Sequence, residues 1–227
     1  MVEGRAKVAI AFSGGLDSSI IATCAKRRTG VFACSAFAEG ALDSRSADRG
    51  ATILGIELKT TRLTRETVAS ELKGMNIPFP TSLMDRSLWC LYSIVSRTAA
   101  REEAEAIMLG QLADELFGGY AKYETTLANS GEEAAAAAMD RDLTDYQKRG
   151  MARDVSACSK WLEPCFPFVE KDVVDLGRSI PVSFKIMGGV RKAVLREAAV
   201  VLGVPRELVN TAKKAAQYSS GIQKFAG

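Results

Sequence analysis

Seven consecutive residues, Ser13-Gly14-Gly15-Leu16-Asp17-Ser18-Ser19, bring together the groups that hold a phosphate. Two adjacent glycines let the backbone approach a ligand and aim N–H groups at it. Three serines add hydroxyl donors, and the string opens an apolar run, Ile20 to Ala25, that reads as a helix. A helix N-terminus adds unpaired N–H groups and a partial positive charge. The result is an anion cradle. It lacks the lysine of the GxxxxGK(S/T) pattern and the spacing of GxGxxG, so it is neither a Walker loop nor a dinucleotide turn. A second constellation, Gly110-Gln111-Leu112-Ala113-Asp114-Glu115-Leu116-Phe117-Gly118-Gly119-Tyr120, follows the apolar run Ala106 to Gly110. It places two carboxylates just past a strand end, where ligands bind in open α/β sheets.

The rest of the composition removes other chemistries. There is no histidine, which excludes Ser-His-Asp and Cys-His catalysis and His-ligated zinc. The five cysteines, Cys24, Cys34, Cys90, Cys158 and Cys165, are odd in number and form no CxxC, which argues against a disulfide framework. The net charge of +3 is too small to imply nucleic acid. No apolar stretch approaches the roughly 20 residues of a membrane helix. The N-terminal run does not read as a signal peptide, and the expected setting is the reducing cytoplasm.

The elements that must position these groups alternate. Lys7 to Phe12 reads as a strand buried on both faces. A helix from Asp17 to Arg28 follows, then a strand over Val31 to Ala38. A helix over Asp43 to Leu54 is closed by Gly55, and a strand covers Ile56 to Thr61. Helical patterning runs over Arg86 to Glu103, 130 to 157 and Arg191 to Leu202. Such alternation predicts an α/β fold with a parallel sheet and a helical C-terminal half. One domain is expected over 1–227, with a nucleotide-binding core in 1–120 and a mainly helical part in 121–227 that completes the site.

SGGLDSS resembles the signature of the PP-loop (N-type) ATP pyrophosphatases, which split ATP between the α and β phosphates. ADELFGGY is similar to an element of the asparagine synthetase synthetase domain. Weaker likenesses follow in family order: Glu163 with Pro167-Phe168, then Lys192-Ala193-Val194-Leu195-Arg196, then Asn210 to Lys214. The resemblance implies the adenine nucleotide alpha-hydrolase-like (HUP/PP-loop) sheet, with ATP and Mg²⁺ as cofactors. It places Ser13, Gly14, Gly15, Leu16, Asp17, Ser18, Ser19, Ala36 and Gly110 at the ATP. It gives Asp17 and Asp114 to the metal, and Asp114, Glu115 and Lys213 to catalysis.

The implied activity is AMP-forming ligation, in which a carboxylate is adenylated and then amidated. The partners would be a small carboxylate acceptor and ammonia or an amine, with a separate glutaminase subunit and a homo-oligomer both left open. The family's glutaminase part with its N-terminal cysteine has no counterpart, since Val2 follows Met1, so the chain alone is expected not to use glutamine. On the acceptor side four residues depart from the family: Gln111 replaces Glu, Val155 replaces Lys, Cys165 replaces Arg and Thr211 replaces Arg. Two alternatives stay open at this point: a tRNA-modifying adenylating enzyme, for which Cys158, Cys165 and the basic tail would matter, and a non-catalytic nucleotide-binding relative.

Overall fold

In the computed structural model, residues 2–211 and 220–226 are described, with Leu42 and Asp43 described in backbone alone. Lys213 therefore lies outside the described residues, as does the expectation that its segment closes over the nucleotide. The elements run β1 (Lys7–Ala11), α1 (Leu16–Ala25), β2 (Gly30–Ala38), α2 (Leu42–Leu54), β3 (Leu58–Leu63), α3 (Arg65–Leu72), α4 (Leu83–Arg101) and β4 (Ala106–Met108). The second half continues with α5 (Ala113–Phe117), α6 (Ala121–Asp145), a π-helical turn (Tyr146–Gly150), α7 (Met151–Cys158), β5 (Glu163–Cys165) and α8 (Lys171–Ser179). It ends with α9 (Val182–Lys185), β6 (Ile186–Met187), β7 (Val190–Arg191), α10 (Ala193–Val201) and α11 (Arg206–Val209).

Five parallel strands form one sheet in the order β3-β2-β1-β4-β5. Strand side chains alternate between two apolar layers. Val8, Ile10, Ala106 and Met108 pack with Leu16, Ile20 and Ile21 of α1, Ala47 and Ala51 of α2 and Leu195 of α10. Ala9, Phe32, Cys34, Ala36 and Ile107 pack on the other side with Val68 of α3, Leu91, Ile94 and Val95 of α4 and Ala157 of α7. This is a three-layer α/β/α arrangement, and each Val, Leu, Ile, Phe or Met side chain buried in it contributes about 1.5–3 kcal/mol. The chain leaves β1 toward β2 and β3 and then returns to the other side of β1 for β4. The C-terminal ends of β1 and β4 thus flank a topological switch point, the place where open α/β sheets bind ligands.

The expected strands and helices are present, with shifted ends. The third strand begins at Leu58 rather than Ile56. Its helix ends on Gly55 in the left-handed region, and the Ile56 amide bonds back to Ala51 O at 3.1 Å, so Ile56 still belongs to the cap. The helical stretch at 130–157 begins earlier, at Ala121, is broken at Gly131 and passes through the π-helical turn. The last expected helix starts at Ala193, because Arg191 belongs to the β6–β7 hairpin. Strand β5 and the hairpin were not expected; each is three residues or fewer per strand.

Lys185, at the end of α9, is only 5% exposed and has no side-chain hydrogen bond or ion pair among the described residues. Burial lowers its pKa to about 8. The unfolded chain then holds more protons than the folded one between about 8 and the ordinary lysine value of 10.5, so stability rises with pH across that window. A Lys185→Met variant is expected to be more stable than wild type at pH 7, with the difference shrinking by pH 10. Urea unfolding at both pH values checks this; an equal difference at both would refute it.

Candidate active site

The phosphate loop is built by how β1 stops. Beyond Ala11 the ladder continues for one residue, Phe12 N donating to Cys34 O at 2.9 Å, and the Ser35 hydroxyl donates to Phe12 O. The chain then turns at Gly14, which has φ +73°. A Cβ there would lie 2.1 Å from Ser46 O, so only glycine fits between the turn and α2. Gly15 is the N-cap of α1 and offers no side-chain cap, which leaves the first-turn amides to a ligand. Ser13 Oγ accepts from Gly15 N at 3.3 Å, and Ser18 Oγ donates to Gly15 O at 3.2 Å. Ser19 Oγ is buried without a hydrogen-bond partner among the described residues.

A lysine draws the two motifs together. Lys192 Nζ stands 2.6 and 2.7 Å from the Asp17 oxygens and 2.8 Å from Asp114 Oδ1. Its side chain is 4% exposed. Burial lowers its pKa from the usual lysine value, and the charge and hydrogen bonds of Asp17 oppose that. Gly119 makes room for the triad: a Cβ there would meet Asp114 Oδ1 at 1.8 Å and Lys192 Cε at 2.5 Å. Gly110 similarly faces Asp17 Cβ, at 3.1 Å from where its own Cβ would be. Leu112 (φ +75°) and Lys192 (φ +57°) are two of the three non-glycine residues with positive φ among the described residues. Such backbone costs about 1–3 kcal/mol and clusters at functional sites.

These groups open into a cavity of about 810 Å³. Toward β2 its wall is mostly apolar, with Cys34, Ala36, Phe37, Leu91 and Val95, while Ser35 there donates its hydroxyl to Phe12 O. Toward β4 and α6 it is polar: Gln111, Glu115, Tyr120, Asp142, Asp145 and Tyr146. Tyr120 OH donates to Glu115 Oε1 at 2.8 Å. Burial raises the Glu115 carboxyl above its ordinary pKa, against the pull of that hydrogen bond. Gln111 receives Tyr92 OH at 3.0 Å and donates to Asp154 Oδ2 at 2.5 Å. Asp154 also accepts from Tyr146 OH at 3.1 Å and from Arg153 Nε at 2.8 Å, and Arg153 reaches Asp85 at 3.2 Å. The departure at Gln111 thus has a physical role: an amide, unlike a carboxylate, can donate to Asp154.

Of the residues expected at the site, Ser13, Asp17, Ser18, Ala36, Gly110, Asp114 and Glu115 line the cavity. Gly14 and Gly15 form the turn, while Leu16 and Ser19 are buried behind it. Lys192, which the sequence shows only as part of a helix motif, is the functional residue that sequence reasoning misses. The signal was its place immediately before that helix, but its two partners lie far away in sequence. Glu163 stands at the other end of the sheet, aligned with Ala106 at the start of β4 and paired with Arg5 at 2.6 Å. Val155 and Cys165 pack in the apolar clusters, and Thr211 O accepts from Arg196 at 3.4 Å. The Cys158 thiol is buried, with its pKa pushed up to about 12, so it is no ready nucleophile.

The acidic pair fits Mg²⁺. Among the described residues no group of three or more His, Cys, Asp or Glu side chains could hold a metal alone. Mg²⁺, however, binds through one or two carboxylates together with substrate phosphates. Asp17 and Asp114, held to one ammonium beside a phosphate cradle, supply that set.

The sequence matches the family description "Asparagine synthase" over residues 1–156 and 127–227. It is 28% identical over 258 residues to the Methanocaldococcus jannaschii protein named "Putative asparagine synthetase (glutamine-hydrolyzing) 1", covering 99% of this chain and 48% of that one. It is 29% identical to the Drosophila melanogaster asparagine synthetase domain-containing protein CG17486, covering 96% of this chain and 45% of that one. The chain therefore spans about half the length of these relatives. Among solved structures it is similar in fold to NMN synthetase from Francisella tularensis, with a TM-score of 0.50 at 13% identity, covering 94% of this chain and 68% of that one.

Two substitutions test this geometry. Gly119→Ala is expected to displace Asp114 and Lys192 and to weaken Mg-ATP binding at least tenfold in calorimetry; unchanged affinity would contradict the triad's role. Gln111→Glu sets a carboxylate against Asp154 and is expected to destabilise the fold by about 1–3 kcal/mol at pH 7. The new carboxyl's pKa rises in the folded state, so the penalty should lessen as pH falls toward 5. Urea unfolding at both pH values measures it.

Proposed function

The chain belongs to the asparagine synthase family, and from that premise we propose that it is an ATP-dependent ligase that adenylates a carboxylate and then forms an amide. A carboxylate oxygen attacks the α-phosphorus of ATP and pyrophosphate leaves. An amine then attacks the acyl carbon, loses its proton, and AMP leaves. The observation that carries this reading is the Lys192 bridge between Asp17 and Asp114 beneath an uncapped helix N-terminus at the sheet's switch point. Without a Walker lysine, the α1 amides and the Ser13 and Ser18 hydroxyls are the groups at hand to hold the pyrophosphate.

Mg²⁺, bound by Asp17, Asp114 and phosphate oxygens, would neutralise the charge of the departing pyrophosphate. Lys192 holds both carboxylates side by side. In this reading Lys213 stabilises charge at the α-phosphate, a kind of contact whose loss typically costs roughly 10²–10³ in rate. Glu115, half-buried and hydrogen-bonded by Tyr120, would be the carboxylate that takes the amine's proton. The nitrogen comes from free ammonia, an amine on the substrate, or a separate glutaminase subunit.

The test is the identity of the nucleotide product. Mg-ATP, ammonium chloride and a panel of small carboxylates are incubated with the protein and separated by chromatography. AMP and pyrophosphate are expected. ADP as the main product would sink the reading, and ATP binding without turnover on any acceptor would favour a non-catalytic relative.

A further inference from the structure

The apolar half of the cavity is closed by the far end of the chain. Ser220 is 2% exposed and lines the cavity beside Ala36 and Phe37. Its carbonyl accepts from Ala38 N at 2.8 Å, so residue 220 is fixed to the C-terminal end of β2. Among the described residues its hydroxyl has one long hydrogen bond, accepted from Ile222 N at 3.4 Å, which leaves the hydroxyl proton to donate elsewhere. Ile222 is fully buried in the cluster that α4 forms over β2, and Arg86 Nε of α4 holds Ala226 O at 3.1 Å. Gly221 lies tight against Ala38, whose Cβ would be 2.9 Å from a Cβ at 221. The tail is thus seated by apolar burial and by hydrogen bonds at both ends.

The polarity of the walls decides what this end receives. With phosphates at the loop after β1, a nucleotide can extend toward β2 or toward β4. The β4 side carries Gln111, Glu115, Tyr120 and Asp142, which suit a polar second substrate. The β2 side is a slot between small strand residues and Leu91 and Val95 of α4, which suits the flat apolar faces of a base. Such pockets fix orientation with a few placed polar groups. Of the two serines that line this slot, Ser35 donates its hydroxyl proton to Phe12 O, and Ser220 stands on the tail's side.

We propose that the tail over residues 220–226 is part of the nucleotide site, and that Ser220 donates its hydroxyl to the base–ribose half of the bound nucleotide. The proposal rests on the ATP-binding reading above. It makes the last described residues of the chain determinants of nucleotide affinity.

The experiment is calorimetric titration of the full chain with Mg-ATP and, separately, with inorganic pyrophosphate in the presence of Mg²⁺. Pyrophosphate probes the loop alone; ATP probes loop and tail together. Ser220→Ala is expected to weaken ATP about three- to tenfold, the worth of one hydrogen bond, and to leave pyrophosphate within twofold. Ile222→Ala, which unseats the tail, should weaken ATP at least as much, with thermal melting to verify that it folds; if it does not fold, Ser220→Ala decides alone. Wild type that binds ATP while Ser220→Ala binds it equally well overturns the tail's part and spares the ATP reading. Equal loss of both ligands also overturns it, because the tail would then act on the fold as a whole. Wild type that binds pyrophosphate but not ATP removes the premise, and the proposal with it.

Discussion

The ammonium of Lys192 between the carboxylates of Asp17 and Asp114 is the contact on which the site's architecture turns. It joins α1, α5 and the turn before α10, and Lys192 and Asp17 are 175 residues apart. A buried charge is costly unless it is paired, and removing one partner of such a pair costs about 3–5 kcal/mol. The neighbouring backbone is arranged around that need. Gly119 has no side chain to intrude, and Leu112 and Lys192 accept left-handed backbone so that their elements begin where the triad requires. The hairpin before α10 serves the same end, since Arg191 donates to Gly119 O at 3.1 Å and so ties the lysine's approach to the acidic motif's end.

The sheet supplies the frame. Because β1 lies between β2 and β4, the turns that leave β1 and β4 meet over one crevice. The cavity is mostly apolar along β2 and at Leu91 and Val95 of α4, and polar where Gln111, Glu115, Asp142 and Tyr146 line it. The polar side is itself a chain of hydrogen bonds, from Tyr92 through Gln111 and Asp154 to Arg153 and Asp85. Every link has a donor and an acceptor. A network so satisfied inside a protein is rigid, and one unmatched member would be costly.

Much of this was legible because it is local. The string from Ser13 to Ser19 carries its own turn, cap position and hydroxyls, and the stretch from Gly110 to Tyr120 carries its carboxylates and closing glycines. The apolar runs of β1, β2 and β4 read as buried strands because both faces are covered. What escaped is long-range or very short. Lys192 shows its role only when the chain folds back on Asp17. Strand β5 and the hairpin hold too few residues for a period to register. Gln111 read as a lost charge, and its reason lies in Asp154, 43 positions away. The shift of β3 came from a cap in which Ile56 still serves the helix behind it.

The division of the cavity into unlike halves also makes its dielectric uneven. Asp17 and Asp114 of the triad line the same cavity as both kinds of wall. A slot walled by Ala36, Leu91 and Val95 solvates charge poorly, whereas the side walled by Glu115, Asp142 and Tyr146 solvates it well. Coulomb interactions grow as the surrounding polarisability falls. Any group that fills the apolar slot displaces water there and sharpens the field that the triad exerts on its other neighbour. Occupancy of one half thereby sets the strength of electrostatics felt in the other, with no movement of the backbone required.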